Sequence, residues 1–369
     1  MQNRGFNINT DTLRTWLEED KPVFILDVRP KEQREEWQIP GSHYLDAYKR
    51  LNQGDNSVLD EIEIPKNTKV ITVCAAGRTS QIASEVLRKK GIDAYSLEGG
   101  MKAWTLAWNK AIIPFADYEI IQLRRTGKGC LSYIIASDNE AIVIDSSLPV
   151  EVYENILRQN KWELKAVMET HIHADHLSRS KELADKNNVA LYLPTPNKVI
   201  FNHEAVQNNQ ALSLGRILLE TIATPGHTIE SVSFLANNEV LFTGDTLFTN
   251  SVGRPDLKAD NNQAKHRTEL LYQSLQLLMS MNDNIIVLPA HTSNPVDFDG
   301  KPVMATIEEI RNNISVLKLS KQDFIKSILS KIPPTPPNYL RIIELNLEGN
   351  IGSVDPKEIE AGANRCAIS

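Results

Sequence analysis

Cysteine is scarce in this sequence and cannot pair off: Cys74, Cys130 and Cys366 are the only three in 369 residues, and they are widely spaced. That argues against a disulfide framework and for a reducing compartment, here the cytoplasm, and it makes any special cysteine catalytic before structural. Long apolar runs are absent too, so nothing approaches membrane-spanning length. Residues 1–22 hold Asp11, Glu18, Glu19 and Asp20 without a long apolar run, and do not read as a signal peptide. Positive charge is not in excess. With 40 Lys and Arg against 47 Asp and Glu, the net charge of -7 speaks against nucleic acid and against a membrane surface as partners. No internal repeat occurs, and the only biased tract is a brief proline cluster at 332–337. What remains, 41% hydrophobic residues over this length, is enough for two globular domains with full cores.

Histidine is scarce as well, at eight residues, yet five of them fall into one pattern. His171, His173, Asp175 and His176 lie within six residues, directly after the strand-like run 164–168. His171 and His173 project the same way from extended chain, while Asp175 and His176 sit on the turn into a helix. Three more candidate ligands each follow another strand-like run: His227 after 217–224, Asp245 after 240–243, and His291 after 285–288. Polar residues gathered at the carboxyl ends of buried strands are where open α/β architectures place their chemistry, and this set reads as a metal cradle.

In chain order, residues 10–18 carry Leu13, Trp16 and Leu17 at helical spacing, and 23–26 form a short strand ending at Asp27-Val28-Arg29. Residues 31–37 read as helical, and Ile39-Pro40-Gly41-Ser42 as a turn. A strand at 69–73 runs into Cys74-Ala75-Ala76-Gly77-Arg78-Thr79-Ser80, and a helix follows as far as Gly91. Another strand, 93–97, turns at Glu98-Gly99-Gly100 into a helix at 101–108. Residues 109–117, with Pro114 and little periodicity, read as the link between domains. Strands at 131–136 and 141–144 and a helix at 150–157 follow, with Cys130 read as an ordinary core residue. Past the last histidine come a short helix at 323–329 and an extended proline brace. Cys366 reads as a passive tail thiol in preference to a substrate-like thiol in the metal cleft.

Around Cys74, small residues let successive backbone N–H groups curl about one sulfur while a new helix points its positive end inward, and Arg78 adds a full charge. Such surroundings favour a thiolate or a bound persulfide. Residues 1–108 resemble a rhodanese domain in Asp27-Val28-Arg29, Ile39-Pro40-Gly41, the Cys74 loop, and Leu97-Glu98-Gly99-Gly100 with Trp104. The resemblance implies that Cys74 is catalytic and carries sulfane sulfur, with Arg78 in substrate binding. The usual loop places its arginine one position later, where this sequence has Thr79.

From Phe115 onward, His171, His173, Asp175 and His176, with His227, Asp245 and His291, resemble the signature of the metallo-β-lactamase superfamily. The implied fold class is α/β throughout: a rhodanese-like α/β domain at 1–112, then an αββα sandwich with a C-terminal extension at 113–369. Two activities within the superfamily carry these letters. Glyoxalase II is a thioester hydrolase with two zinc ions and an activated hydroxide. Persulfide dioxygenases hold one Fe(II) through the residues matching His171, His227 and Asp245, which leaves His173, Asp175, His176 and His291 to orient ligands or water. Val252-Gly253-Arg254-Pro255-Asp256 is more similar to the dioxygenase segment, and the fused sulfur-handling domain agrees with it. The resemblance then implies oxidation of a glutathione-like persulfide by O2 to sulfite, with Arg254 and Asp256 binding the carrier and thiosulfate formed through Cys74. Tyrosine is common two residues after the last histidine; Ser293 stands there. As rivals stand the two-zinc hydrolase and a first domain that only docks a partner protein with Cys74 silent, and a homo-oligomer is left open.

Overall fold

The computed structural model describes residues 6–194, 198–362 and 364–368. The first five residues, and the outermost limits 1 and 369 of the expected domains, lie outside them. No helix among the described residues is long and apolar enough to cross a membrane.

The first unit is a five-stranded parallel sheet in the order Asn7–Ile8, Ala94–Leu97, Lys69–Val73, Val23–Asp27, His43–Tyr44. Lys69–Val73 is central, buried from Val70 onward, and ends directly at Cys74. The helix Arg78–Lys89 covers one face through Ala83, Val86 and Leu87, packed on Phe24, Leu26 and Val70. Leu13 and Trp104 pack with Ile25, Ile71 and Val73 in a second cluster.

Two further sheets form a sandwich. The seven-stranded sheet runs Glu204–Ala205, Ala190–Leu193, Glu163–Met168, Glu140–Ile144, Leu131–Ser137, Glu119–Arg124, Asn109–Pro114. The six-stranded sheet runs Ala211–Leu214, Ile217–Ala223, Val232–Ala236, Val240–Gly244, Ile286–Pro289, Ala305–Thr306. Alternation decides which side chains meet where. Ile120, Ile135, Ile142 and Ile144 face Leu219, Phe234, Phe242 and Leu288 between the sheets. Ile121, Ile134 and Val143 point outward onto the helices Val150–Asn160 and Ser180–Asn187. On the opposite outer face, Leu271, Leu275 and Leu278 of the helix Asn261–Met279 cover Leu235, Leu241 and Val287. This is an αββα sandwich, as expected.

Three details differ from the expectation. The helix after Gly99-Gly100 is only Gly100–Trp104, because the chain turns at Thr105 and leaves for the next sheet. Residues 109–117 are not a linker: Asn109–Pro114 is the edge strand of the seven-stranded sheet, paired antiparallel with Glu119–Arg124. Pro114 is tolerated there because an edge strand need not donate to a neighbour on its free side. The change of sheet therefore falls at 105–108, ahead of a boundary at 112. The helices Asn261–Met279 and Tyr339–Glu348 are also absent from the sequence reading.

The two units share a polar seam. Trp37 Nε1 donates to the Thr126 carbonyl at 3.0 Å. Arg125, fully buried, donates to the carbonyls of Thr105 and Ser147 and to the Glu360 carboxylate.

Candidate metal centre and sulfur loop

Each metal-ligand candidate stands where a strand of the sandwich ends. His171 follows Glu163–Met168, His227 follows Ile217–Ala223, Asp245 follows Val240–Gly244, and His291 follows Ile286–Pro289. All seven candidates are at most 4% exposed. His171, His227 and Asp245 each bring one ligand atom to a point where the three lie within 4.8 Å of one another.

The hydrogen bonds behind them fix which atoms face that point. The Thr170 hydroxyl donates its one proton to Asp145 Oδ2 at 2.8 Å, so the 2.9 Å contact with His171 Nδ1 is a bond donated by the ring. His227 Nδ1 lies 2.7 Å from the Arg254 carbonyl, which can only accept. Both rings therefore turn an unprotonated Nε2 toward Asp245 Oδ2, at 3.7 and 3.5 Å. Among the described residues neither His171 Nε2 nor Asp245 Oδ2 has a hydrogen-bond partner. Burial holds both imidazoles below the ordinary histidine range, His171 far below it. Three lone pairs converging in a buried site without a proton between them fit a cation, and two His with one carboxylate is a transition-metal donor set.

The other candidates form two separate groups. His173 Nε2 hydrogen-bonds Asp145 Oδ1 at 3.2 Å and lies 2.8 Å from Glu169 Oε2, at an angle that makes no hydrogen bond. Asp175, His176 and His291 gather with Cys130. Asp175 accepts from Cys130 Sγ at 3.4 Å and from Asn364 Nδ2 at 2.9 Å, and lies 2.8 Å from His291 Nε2. His291 Nδ1 makes a short contact with Asp245 Oδ1. Burial disfavours the charge on His291, but the Asp175 and Asp245 carboxylates outweigh it and raise its pKa well above the ordinary value. Burial and Asp175 push the Cys130 thiol up, yet Arg125 and His176 overcome them and hold it at about 7. Cys130 is thus a member of the polar cluster and not the ordinary core residue expected.

Arg254 is fully buried, and its fork is occupied. It grips Asp256 through Nε and Nη2 at 2.8 and 2.7 Å and donates to the carbonyls of Pro333, Pro334 and Arg365. A substrate carboxylate finds no free donor there: what Arg254 holds is the C-terminal tail. Val252–Gly253 pairs antiparallel with Ala367–Ile368, and the Arg254 N–H donates to the Cys366 carbonyl at 2.9 Å. Cys366 is 1% exposed, and its sulfur lies within 4.8 Å of ligand atoms of Asp245 and His291. The passive tail thiol of the sequence reading is therefore inside the metal cleft.

In the first unit, Gly77 N–H donates to Cys74 Sγ at 3.1 Å, Ser80 Oγ lies 3.3 Å from it, and Gly77 caps the helix Arg78–Lys89. Gly100 makes the loop possible: a Cβ there would stand 2.2 Å from the Cys74 carbonyl. Cys74 is 2% exposed, whereas Arg78 is exposed and makes no hydrogen bond or ion pair among the described residues. The partners of the Cys74 sulfur are Gly77 and Ser80, and the Arg78 guanidinium is not one of them.

Sequence reasoning missed Asp145, Glu169, Asn346, Asn364 and Glu360. Asn346 donates to the carbonyls of His173 and His176 and accepts from Ser178 N–H, which clamps the motif loop. Asp145 carried a usable signal, since it too follows a strand-like run, 141–144.

Comparison with known proteins agrees with this geometry. The profile of the rhodanese-like domain matches residues 9–107, and that of the metallo-beta-lactamase superfamily matches residues 125–291. A hydroxyacylglutathione hydrolase of Francisella philomiragia subsp. philomiragia is 30% identical over 229 residues, 54% of this chain and 86% of that protein. A metallo-beta-lactamase structure from Staphylococcus aureus subsp. aureus COL superposes with a TM-score of 0.58 at 25% identity, covering 63% of this chain and 73% of that one. ETHE1 from Myxococcus xanthus superposes with a TM-score of 0.54 at 26% identity, covering 61% and 96%. With its His and Asp clusters at the strand ends of the sandwich, the chain belongs to the metallo-β-lactamase superfamily, with a rhodanese-like domain ahead of the metal-binding one.

Proposed function

We propose that this chain is a persulfide dioxygenase with sulfurtransferase activity. His171, His227 and Asp245 hold one Fe(II), and Cys74 carries sulfane sulfur. The observation that carries the reading is the separation of His173 from the convergent triad. The motif histidine that a two-zinc centre would recruit gives its Nε2 to Asp145 and Glu169, and no atom of it belongs to the group that His171, His227 and Asp245 form within 4.8 Å. Two histidines and one carboxylate leave coordination positions open, as non-haem Fe(II) oxygenases require. A bound Fe(II) supplies the one-electron chemistry that lets O2 react with a persulfide. The chain's own groups do the rest: Thr170 and the Arg254 carbonyl fix the ligand tautomers, and burial keeps bulk water from the site. The overall reaction is RSSH + O2 + H2O → RSH + sulfite + 2 H⁺, and sulfite that takes sulfane sulfur from Cys74 leaves as thiosulfate. The three cysteines are free and buried, which fits a reducing compartment such as the cytoplasm.

A second reading, a two-zinc thioester hydrolase, has support of its own. Among the described residues His173 Nδ1, His176 Nε2 and His291 Nε2 lack hydrogen-bond partners, the last two beside Asp175, and a hydroxyacylglutathione hydrolase is among the relatives. Metal analysis of anaerobically purified protein, combined with O2 uptake on a small-molecule persulfide, separates the two. One iron with O2 consumption supports the first; two zincs with rapid hydrolysis of a glutathione thioester supports the second.

A further inference from the structure

Arg254 has no donor left for a substrate, so an anion bound near the metal loops needs another cation. A cavity of about 240 Å³ supplies one. Three of the segments that build the metal centre line it. Ile172 lies between His171 and His173, Thr228 directly follows His227, and Leu257 and Lys258 continue the turn that Arg254 and Asp256 begin. The carbonyl of Arg254 in that turn also orients the His227 ring. The helix Asn261–Met279 adds Arg267 to the wall.

Charge selects the ligand. Lys198, Lys258 and Arg267 line the cavity beside a single acid, Glu230, in a chain whose net charge is -7. Arg267 is half-buried, and among the described residues its one hydrogen bond runs from Nη1 to the Leu257 carbonyl at 2.8 Å. It belongs to no ion pair among them. Burial lowers its pKa, and Glu230 and Asp256 offset that only in part, as expected for a cation short of a counter-ion. Asp256 cannot supply one, because both its oxygens are held by Nε and Nη2 of Arg254. On Arg267 the same two nitrogens are uncommitted, and they form the fork that takes a carboxylate through two parallel bonds. Ile172 and Leu257, both buried, give the cavity an apolar wall for the rest of the ligand. Small-molecule sites span about 300–1,000 Å³, so a cavity just under that range admits nothing larger than a small peptide.

We infer that this cavity binds the carrier of the persulfide, a low-molecular-weight thiol with a free carboxylate, and that Arg267 grips that carboxylate while Lys258 adds a second positive charge at the rim. The inference rests on the persulfide reading above and supplies its substrate class and its binding residue. Arg254, expected for the task, holds the tail instead.

The test uses the full-length protein and S-methylglutathione, whose blocked sulfur offers no thiolate to a metal, so that calorimetric titration reads the carboxylate site alone. Arg267→Gln keeps a donor for the Leu257 carbonyl and removes the charge. It should weaken binding at least about tenfold, since a charge-assisted pair is lost. Lys258 is exposed, so Lys258→Gln leaves the core intact and should weaken binding about threefold, an effect that shrinks as salt is raised from about 0.05 to 0.5 M. In O2 uptake, Arg267→Gln should raise KM for glutathione persulfide at least about tenfold with kcat changed less than about threefold, while KM for the uncharged persulfide of thioglycerol stays at the wild-type value. No binding of S-methylglutathione to the wild type overturns the assignment, as does equal affinity in Arg267→Gln or an equal rise in KM for both persulfides. Binding that depends on Arg267 without O2 uptake on any persulfide leaves the cavity as the thiol site and brings down the dioxygenase reading alone.

Discussion

Arg125 Nη2 lies 2.6 Å from Glu360 Oε2, with the two side chains 0% and 1% exposed. Around this pair the end of the first unit, the sandwich and the tail are joined, because Arg125 also bonds the Thr105 and Ser147 carbonyls and Glu360 accepts the Leu177 N–H. Removing one member leaves the other charge buried without compensation. Glu360→Ala should therefore cost about 3–5 kcal/mol. Replacing both partners with apolar residues of similar volume should recover most of that loss. Urea denaturation followed by tryptophan fluorescence measures both, and a loss under about 1 kcal/mol for the single variant would show that the pair is dispensable.

Gly253 is the point where the tail's partner strand crosses the metal centre. A Cβ at this position would lie 1.8 Å from the Asp245 carbonyl and 3.3 Å from His227 Cβ. Backbone cannot yield as a flexible side chain does, so Gly253→Ala must displace a strand that carries a ligand. We expect it to lose most of its metal although every ligand is still present, since small displacements in a preorganised site are costly. Metal content after desalting decides the matter, and retention at the wild-type level sinks the argument.

Much of this centre was legible because each ligand follows an apolar run, and the ends of buried strands can be read from one sequence. The partition among the ligands was not legible. His171 and His173 sit two apart and look equivalent, but Asp145 and Glu169 take the Nε2 of His173, which stands outside the group of His171, His227 and Asp245. The tail was opaque for the opposite reason: Cys366 is brought to Asp245 by a two-residue ladder and one arginine fork, which leave no periodic signal. Residues 109–117 misled through Pro114, which marks an edge strand here and not a linker. The helix Asn261–Met279 could have been found, since Leu271, Leu275 and Leu278 share a face and Asp260 with Gln263 forms a capping box.

If one iron is held by the triad alone, alanine at His171, His227 or Asp245 should abolish metal binding. His173→Ala and His291→Ala should keep most of it, losing about 10- to 100-fold in affinity as supporting groups do. Metal analysis across the five variants checks this. Loss at His291→Ala as complete as at His171→Ala would favour the two-zinc reading.

Arg254 uses all five guanidinium donors, two on Asp256 and three on carbonyls of the brace and tail. A lysine has three donors on one nitrogen and must give up at least two of these bonds. One of the five bonds, that to the Arg365 carbonyl, reaches the tail; its loss, at about 1 kcal/mol, should make opening of the tail easier by about fivefold. Alkylation of Cys366 in Arg254→Lys, followed by peptide mass spectrometry, should accelerate about fivefold over wild type. Unchanged protection would mean that the tail is held by something other than the fork.

Cys74 and the metal triad sit in separate units, and that separation sets the last expectation. The sulfur of Cys74 receives the Gly77 N–H at the start of a helix, an arrangement that can hold a bound persulfide. A serine hydroxyl at the same place stays protonated and cannot hold sulfane sulfur. Nothing in the triad's hydrogen bonding reaches the loop, because its orienting partners are Thr170 and the Arg254 carbonyl. Cys74→Ser should therefore keep O2 uptake on an added small-molecule persulfide within about twofold of wild type, while exchange of sulfur between thiosulfate and thiol falls by at least about a hundredfold. O2 consumption, sulfite and thiosulfate are followed in parallel for both proteins. Equal thiosulfate turnover would take the chemistry away from Cys74 and leave the first domain a docking module. A parallel fall in O2 uptake would instead mean that oxygen chemistry at the metal depends on the loop.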